Sequence, residues 1–350
     1  MNLRGGDLLS DRDLGTEQVG QILDRAAEIK ARPEKFRTAL QGKTLAMVFQ
    51  KPSLRTRVTF ETGMTQLGGH AIYISPSDAG LGTRESVPDV ARNLERWVDG
   101  IMARVFAQKI VEDLARYSRV PVINGLSDDF HPVQALADFL TIREHFGDLK
   151  KVKLAYIGDG NNVCSSLLLT ASRVGARMAV ATPQGFEPNK GIVLESIAYG
   201  KRTGASFEIG NDVTAAVKGA HAVYTDVWAS MGQEAQAEQK ARAFRPYQIN
   251  DAVMAAAGRQ ARFMHCLPAH RGEEVTDSVA DSKASIIFDQ AENRLHAQKS
   301  VMVTLMGGVA RGAGAGRSIS RVSARPARVK VAARRAAPRG KKAGSSKRRK

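Results

Sequence analysis

The stretch Lys51-Pro52-Ser53-Leu54-Arg55-Thr56-Arg57 sets hydroxyls and guanidiniums where an apolar run passes into a helical pattern. A helix N-terminus offers unpaired backbone N–H groups and a partial positive charge, which suit a phosphate. Ser53, Thr56, Arg55 and Arg57 would add charge-assisted donors. The GxxxxGK[ST] pattern of a nucleotide loop is absent. An ordinary capped helix with surface arginines has the same local pattern. His131-Pro132-Val133-Gln134 puts a histidine and a glutamine one turn apart, able to face one small polar group; a capping histidine fits equally. Asp226-Val227-Trp228-Ala229-Ser230-Met231-Gly232-Gln233-Glu234 offers a carboxylate for an amine and a stretch able to close over a ligand. As a polar surface loop it would make costly use of Trp228 and Met231.

Three further motifs are ambiguous by themselves. Gly158-Asp159-Gly160-Asn161-Asn162 resembles the start of a dinucleotide fingerprint, but Val163 stands where the last glycine belongs. A small-molecule contact at the end of a strand remains open there. His265-Cys266-Leu267-Pro268 pairs a thiol with a histidine, yet strand neighbours point to opposite faces, so a buried thiol is the plainer reading. Glu292-Asn293-Arg294 opens a helical pattern and says little alone.

These motifs need rigid elements beneath them. Residues 14–29 read as a helix and 44–50 (TLAMVFQ) as a strand. Residues 55–67 are helical, with Phe60, Met64 and Leu67 at i, i+4, i+7, and 70–74 resume a strand. The strand–helix–strand order implies a parallel pair. Ser86 reads as an N-cap with Asp89 three residues on, followed by an apolar stripe of Val90, Leu94, Trp97 and Val98. Strands at 100–105 and 120–123 flank a helix at 111–116. The alternation continues with strands at 152–157, 178–182, 222–225, 263–266 and 286–288, then a last helix at 292–306. Two consecutive α/β blocks result, joined near residues 136–150.

The chain has 350 residues, enough for two domains with their own cores. No apolar run approaches the roughly 20 residues needed to cross a bilayer. The N-terminal residues mix Arg4 and Arg12 with Asp7, Asp11 and Asp13, with no apolar signal segment. Cys164 and Cys266 are the two cysteines, far apart and outside any zinc-ligand spacing. A cytoplasmic protein is expected. The net charge of +17 suggests a nucleic-acid binder, but residues 311–350 carry about 15 Lys and Arg and no acid, leaving about +2 for the rest. From Gly307 on, Gly, Ala, Ser, Pro, Arg and Lys dominate, a composition expected to be disordered. Such a basic tail could hold polyanions; a DNA-binding protein is one rival reading, and a nicotinamide-dependent dehydrogenase, resting on Gly158 to Asn162, is another.

Taken together and in this order, the motifs resemble the aspartate/ornithine carbamoyltransferase family over nearly all of residues 8–306. Ser53-Leu54-Arg55-Thr56-Arg57 is similar to its S-T-R-T-R carbamoyl phosphate motif, with Leu54 in place of a threonine; a hydroxyl is lost but the backbone N–H stays. Arg104-Val105-Phe106 and the 131–134 motif match two more. The 226–234 loop and His265-Cys266-Leu267-Pro268 resemble the ornithine branch; an aspartate enzyme is the near alternative.

The resemblance implies an α/β fold of two domains, each a parallel sheet flanked by helices, with a C-terminal helix returning to the first domain. The divisions would be 1–145 for carbamoyl phosphate, 146–290 for ornithine, 291–306 for that helix and 307–350 for the tail. It implies phosphate binding by Ser53, Leu54 (backbone), Arg55, Thr56 and Arg104, and polarisation of the carbamoyl oxygen by Thr56, Arg104 and His131. Gln134 and the backbone around Leu267 would take the carbamoyl amide, with Arg294 close by. Asn162, Asp226, Ser230 and Met231 would hold ornithine, Cys266 would place its amine, and Arg57 would pair with a carboxylate. No metal or organic cofactor is implied, since phosphate is already a good leaving group. A homotrimer with active sites between chains is implied too.

Overall fold

In a computed structural model, which describes residues 6–229 and 237–307, the strands form two parallel sheets. The first holds β1 (Thr44–Phe49), β2 (His70–Ile74), β3 (Gly100–Arg104) and β4 (Val122–Leu126) in the order β2-β1-β3-β4. The second holds β5 (Lys153–Ile157), β6 (Arg177–Ala181), β7 (Ser206–Gly210), β8 (Ala222–Thr225) and β9 (Arg262–His265) in the order β7-β6-β5-β8-β9. β1 is buried from Leu45 to Phe49, as expected of a parallel strand covered on both faces. The order reverses beside β1 in one sheet and beside β5 in the other. Crevices at the carboxyl ends of strands beside such reversals are where open α/β sheets take ligands.

Helices deliver the side chains. Ser53 caps Leu54–Gln66, its hydroxyl accepting the Thr56 N–H at 3.3 Å. His131 stands at the N-cap of Pro132–Phe146, with proline at the first helical position. Asn161 caps Asn162–Val174, accepting from the N–H groups of Val163 and Cys164. The last helix, Ile287–Met306, packs on Pro132–Phe146, Thr16–Ala31 and Leu54–Gln66. Gly63 faces the last helix, where an added Cβ would meet Met302 Cε at 2.8 Å and displace that flexible side chain.

Two expectations need correction. Residues 286–288 are not a strand. The preceding chain touches β9 through one bridge, Phe263 to Ser285, and the backbone turns helical from Ile287. Phe288 then faces solvent. Trp97 does not belong to a buried stripe; it is 66% exposed, and the helix Val87–Trp97 buries Ala91 and Leu94 instead. β7 escaped the sequence reading because it is an edge strand whose Ser206, Glu208, Ile209 and Gly210 are exposed. Ser230, Met231 and residues 308–350 lie outside the described residues. Among the described residues, no helix is long and apolar enough to cross a membrane.

Candidate active site

A cleft of about 870 Å³ opens at the carboxyl ends of both sheets. Ser53, Leu54 and Arg55 line it after β1, Arg104 at the end of β3, and His131 and Gln134 after β4. Asn162 enters after β5, Asp226 after β8, Cys266 and Leu267 after β9, and Arg294 from the last helix. Thr56 lies fully buried just beneath. The structure thus gathers every expected site residue that it describes.

At the first-sheet end, Thr56 is a junction. Its hydroxyl oxygen accepts from Arg294 Nη2 at 2.9 Å, from Ser53 Oγ at 3.1 Å and from Arg104 Nη1 at 3.4 Å. The Nε groups of Arg104 and Arg294 are buried without a protein partner. Burial, reinforced by Arg294, pulls Arg104 down to about 9. Burial likewise pulls Arg294 down to about 10, and lowers Arg55. Three guanidiniums around a capped helix N-terminus are mutually repulsive until an anion sits among them. His131 is buried, and burial with Arg294 and Arg104 nearby holds its ring well below the ordinary histidine range. It is therefore a neutral imidazole with one N–H to give.

At the second-sheet end, Asp226 accepts from Asn161 Nδ2 at 2.8 Å, from its neighbour's Val227 N–H at 2.9 Å and from the Cys266 thiol at 2.9 Å. Burial, and after it Asp226, pushes that thiol well above its ordinary range, which suits a hydrogen-bond donor and not a thiolate nucleophile. His265 does not serve Cys266 as a base. Its Nδ1 accepts the Leu267 N–H at 2.8 Å, and its Nε2 faces Glu274 at 3.2 Å. Leu267 itself has φ 61°, the left-handed region that non-glycine residues avoid. Asn162 Nδ2 donates to the Ser127 carbonyl at 2.7 Å. Arg57, expected to be structural, pairs with Glu61 at 3.2 Å and lies over the Tyr73 ring.

Gly160 has a packing reason to be glycine: a Cβ there would lie 2.3 Å from Pro188 N. The loop that resembled a dinucleotide fingerprint therefore packs against its own chain. Sequence reasoning did not find several pairings in and around the cleft. Lys51 pairs with Asp128 at 2.5 Å and lies over Phe106. Lys240 pairs with Asp159 at 2.5 Å, 81 residues away. Neither pairing has a local signature. Asp138, four residues after Gln134 on one helix, did carry one, since i and i+4 share a face.

Comparison with known proteins agrees with this geometry. Residues 6–144 match the model of the aspartate/ornithine carbamoyltransferase carbamoyl-P binding domain, and 150–305 that of the Asp/Orn binding domain. The chain is 53% identical to the ornithine carbamoyltransferase of Pyrococcus horikoshii, covering 89% of this chain and 99% of that one. A relative in Pyrococcus furiosus, named as the anabolic enzyme, is 52% identical over 88% of this chain and 99% of its own. The solved ornithine carbamoyltransferase from Pyrococcus furiosus superposes with a TM-score of 0.86, covering 89% of this chain and all of that one. That from Thermus thermophilus gives 0.77 at 47% identity, over 86% of this chain and 98% of that one. On its motifs, its two sheets and these likenesses, the chain belongs to the aspartate/ornithine carbamoyltransferase family.

Proposed function

We infer that this chain is a carbamoyl-group transferase of arginine metabolism. It moves the carbamoyl group of carbamoyl phosphate to the δ-amine of L-ornithine, giving L-citrulline and phosphate. The observation that carries the reading is the convergence of Arg55, Arg104 and Arg294 at the helix capped by Ser53, facing the Asp226–Cys266 pair across one cleft. The first group suits a phosphate dianion and the second an amine.

The assigned roles follow from that polarity. Ser53, the Leu54 N–H, Arg55, Thr56 and Arg104 hold the phosphate. Thr56, Arg104 and the neutral His131 donate toward the carbamoyl oxygen, where negative charge grows as the carbon becomes tetrahedral. Gln134 and the chain at Cys266–Leu267 take the carbamoyl amide, beside Arg294. Asn162, Asp226, Ser230 and Met231 hold ornithine, and Cys266 places its amine. The neutral δ-amine forms the new C–N bond, the C–O bond to phosphorus breaks, and the amine proton leaves with the departing phosphate. No bond to the enzyme forms. Holding both substrates in line supplies much of the rate.

We assign residues 1–145 to the carbamoyl phosphate domain and 146–290 to the ornithine domain. Residues 291–306 pack back on the first, and the basic segment lies beyond. The chain assembles as a homotrimer with active sites between neighbours, a reading supported by an exposed apolar strip. Leu54 (74% exposed) and Val58 (47%) lie one turn apart, with Ile72 (43%) on the edge strand β2. The enzyme works in the cytoplasm, and its basic tail attaches loosely to polyanions. The activity is tested by mixing the purified chain with carbamoyl phosphate and ornithine. Citrulline and phosphate should appear in equal amounts. Phosphate without citrulline would contradict the reading.

A further inference from the structure

The carboxylate of Asp138 lies beneath the floor of the cleft, fully buried on the helix Pro132–Phe146. Gln134 Nε2 and Gln290 Nε2 each donate to its Oδ1 at 2.7 Å, and the Tyr224 hydroxyl donates to Oδ2 at 3.1 Å. An oxygen that only accepts decides which end of each amide must face it.

Each glutamine then presents its other end elsewhere. Gln134 lines the cleft, and its Oε1 is buried without a protein partner. Gln290 Oε1 accepts the His265 N–H at 2.9 Å, and the His265 ring accepts the Leu267 N–H, so this arm holds the turn at Cys266–Leu267 that lines the same cleft. One carboxylate thus sets both flanks of a pocket that needs acceptors for an N–H₂ group.

We propose that Asp138 is a positioning residue: it orients Gln134 and, through Gln290 and His265, the Cys266–Leu267 turn, so that the cleft recognises the amide –NH₂ of a carbamoyl group and separates it from an acyl group of the same shape. The proposal rests on the carbamoyl-transfer reading above. Burial pushes Asp138 up to about 7, against the hydrogen bonds from Gln134, Gln290 and Tyr224. A proton on Oδ2, turned to the Tyr224 oxygen, would leave Oδ1 accepting both amides, so the arrangement holds in either state.

Acetyl phosphate, with a methyl in place of the –NH₂, is the discriminating probe. Binding of carbamoyl phosphate, acetyl phosphate and inorganic phosphate is measured on the full chain for wild type, Asp138→Asn, Asp138→Leu, Gln134→Met, Gln290→Met and the Asp138→Leu/Gln134→Met double variant. Asp138→Asn keeps an acceptor at Oδ1 and should retain the wild-type preference for carbamoyl over acetyl phosphate. Asp138→Leu and Gln134→Met should each cut that preference ~10-fold or more, the size of one lost buried hydrogen bond, with phosphate affinity changed less than about twofold. The double variant should lose more of the preference than Gln134→Met alone, because Asp138 also acts through Gln290, but less than the two single losses combined, because the Gln134 arm is lost only once.

A folded Asp138→Leu chain with an unchanged preference, or one that weakens all three ligands alike, overturns the proposal. So does loss of the preference in Asp138→Asn. Should Asp138→Leu fail to fold, Gln290→Met decides: it cuts only the second arm and must lower the same preference. A wild-type chain that forms no citrulline overturns the functional reading itself, and is told apart by its own assay.

Discussion

One hydroxyl, that of Thr56, joins Ser53, Arg104 and Arg294, which come from the loop after β1, the end of β3 and the last helix. Arg55 lines the same cleft, partly buried, and burial lowers its pKa. Arg55→Ala should therefore weaken carbamoyl phosphate binding and collapse turnover, by on the order of 2–4 kcal/mol of transition-state stabilisation. A folded variant with near-wild-type kcat/KM for carbamoyl phosphate would remove Arg55 from the site. Asp226 lines the other end of the cleft. Asp226→Asn should damage ornithine use far more than carbamoyl phosphate binding measured without ornithine; equal loss of both would count against its acceptor role. Most residues of these two groups were readable from the chain because they sit in short contiguous motifs at strand ends; Arg294, inside the last helix, was marked only by the family resemblance. The Lys240–Asp159 and Lys51–Asp128 pairs were not readable, since each joins distant segments with no periodicity to mark it.

Elements matter through their ends. The site is built from helix starts at Leu54, Pro132 and Asn162 and from strand ends; the first two were legible where Ser53 and Pro132 open a helical pattern, while the third was read only as a loop after a strand. The exposed edge strand β7 and the helix start at Ile287 were not legible. β7 buries too little to show a pattern, and Ile286 to Phe288 is apolar enough to read as strand until the helix that follows claims it. The N-terminal turn braces one helix start in a way no pattern revealed. Asp11, buried, accepts from the hydroxyls of Ser166 and Thr170, and Ser166 Oγ in turn accepts the His131 N–H. Burial raises Asp11 from 3.8 to about 6 in the fold. The folded state then holds more protons than the unfolded one between those values, so stability falls as pH rises through that window and levels off above it. Asp11→Asn has no such proton to lose. Its stability relative to wild type should climb by roughly 3 kcal/mol in all between about pH 3 and about pH 7, most steeply inside that window, and stay flat beyond, as read from urea midpoints. A difference independent of pH would contradict this.

For the whole molecule, charge divides along the chain. The body before residue 311 is close to neutral, and the excess of the net +17 lies beyond it. Truncation after Gly308 should leave ornithine turnover intact and abolish salt-sensitive DNA binding, since phosphate contacts by Lys and Arg weaken as salt rises. Loss of turnover in an intact oligomer would place the tail in the enzyme. The proposed function turns on the identity of the acceptor, for which Asn162, Asp226, Ser230, Met231 and Cys266 are the proposed contacts. Its most direct test is acceptor profiling of the full chain at saturating carbamoyl phosphate, with ornithine, aspartate, acetylornithine and putrescine as competing amines. Ornithine should give the highest kcat/KM, with citrulline as product and aspartate inert. Carbamoylation of aspartate, acetylornithine or putrescine in preference to ornithine would contradict the account.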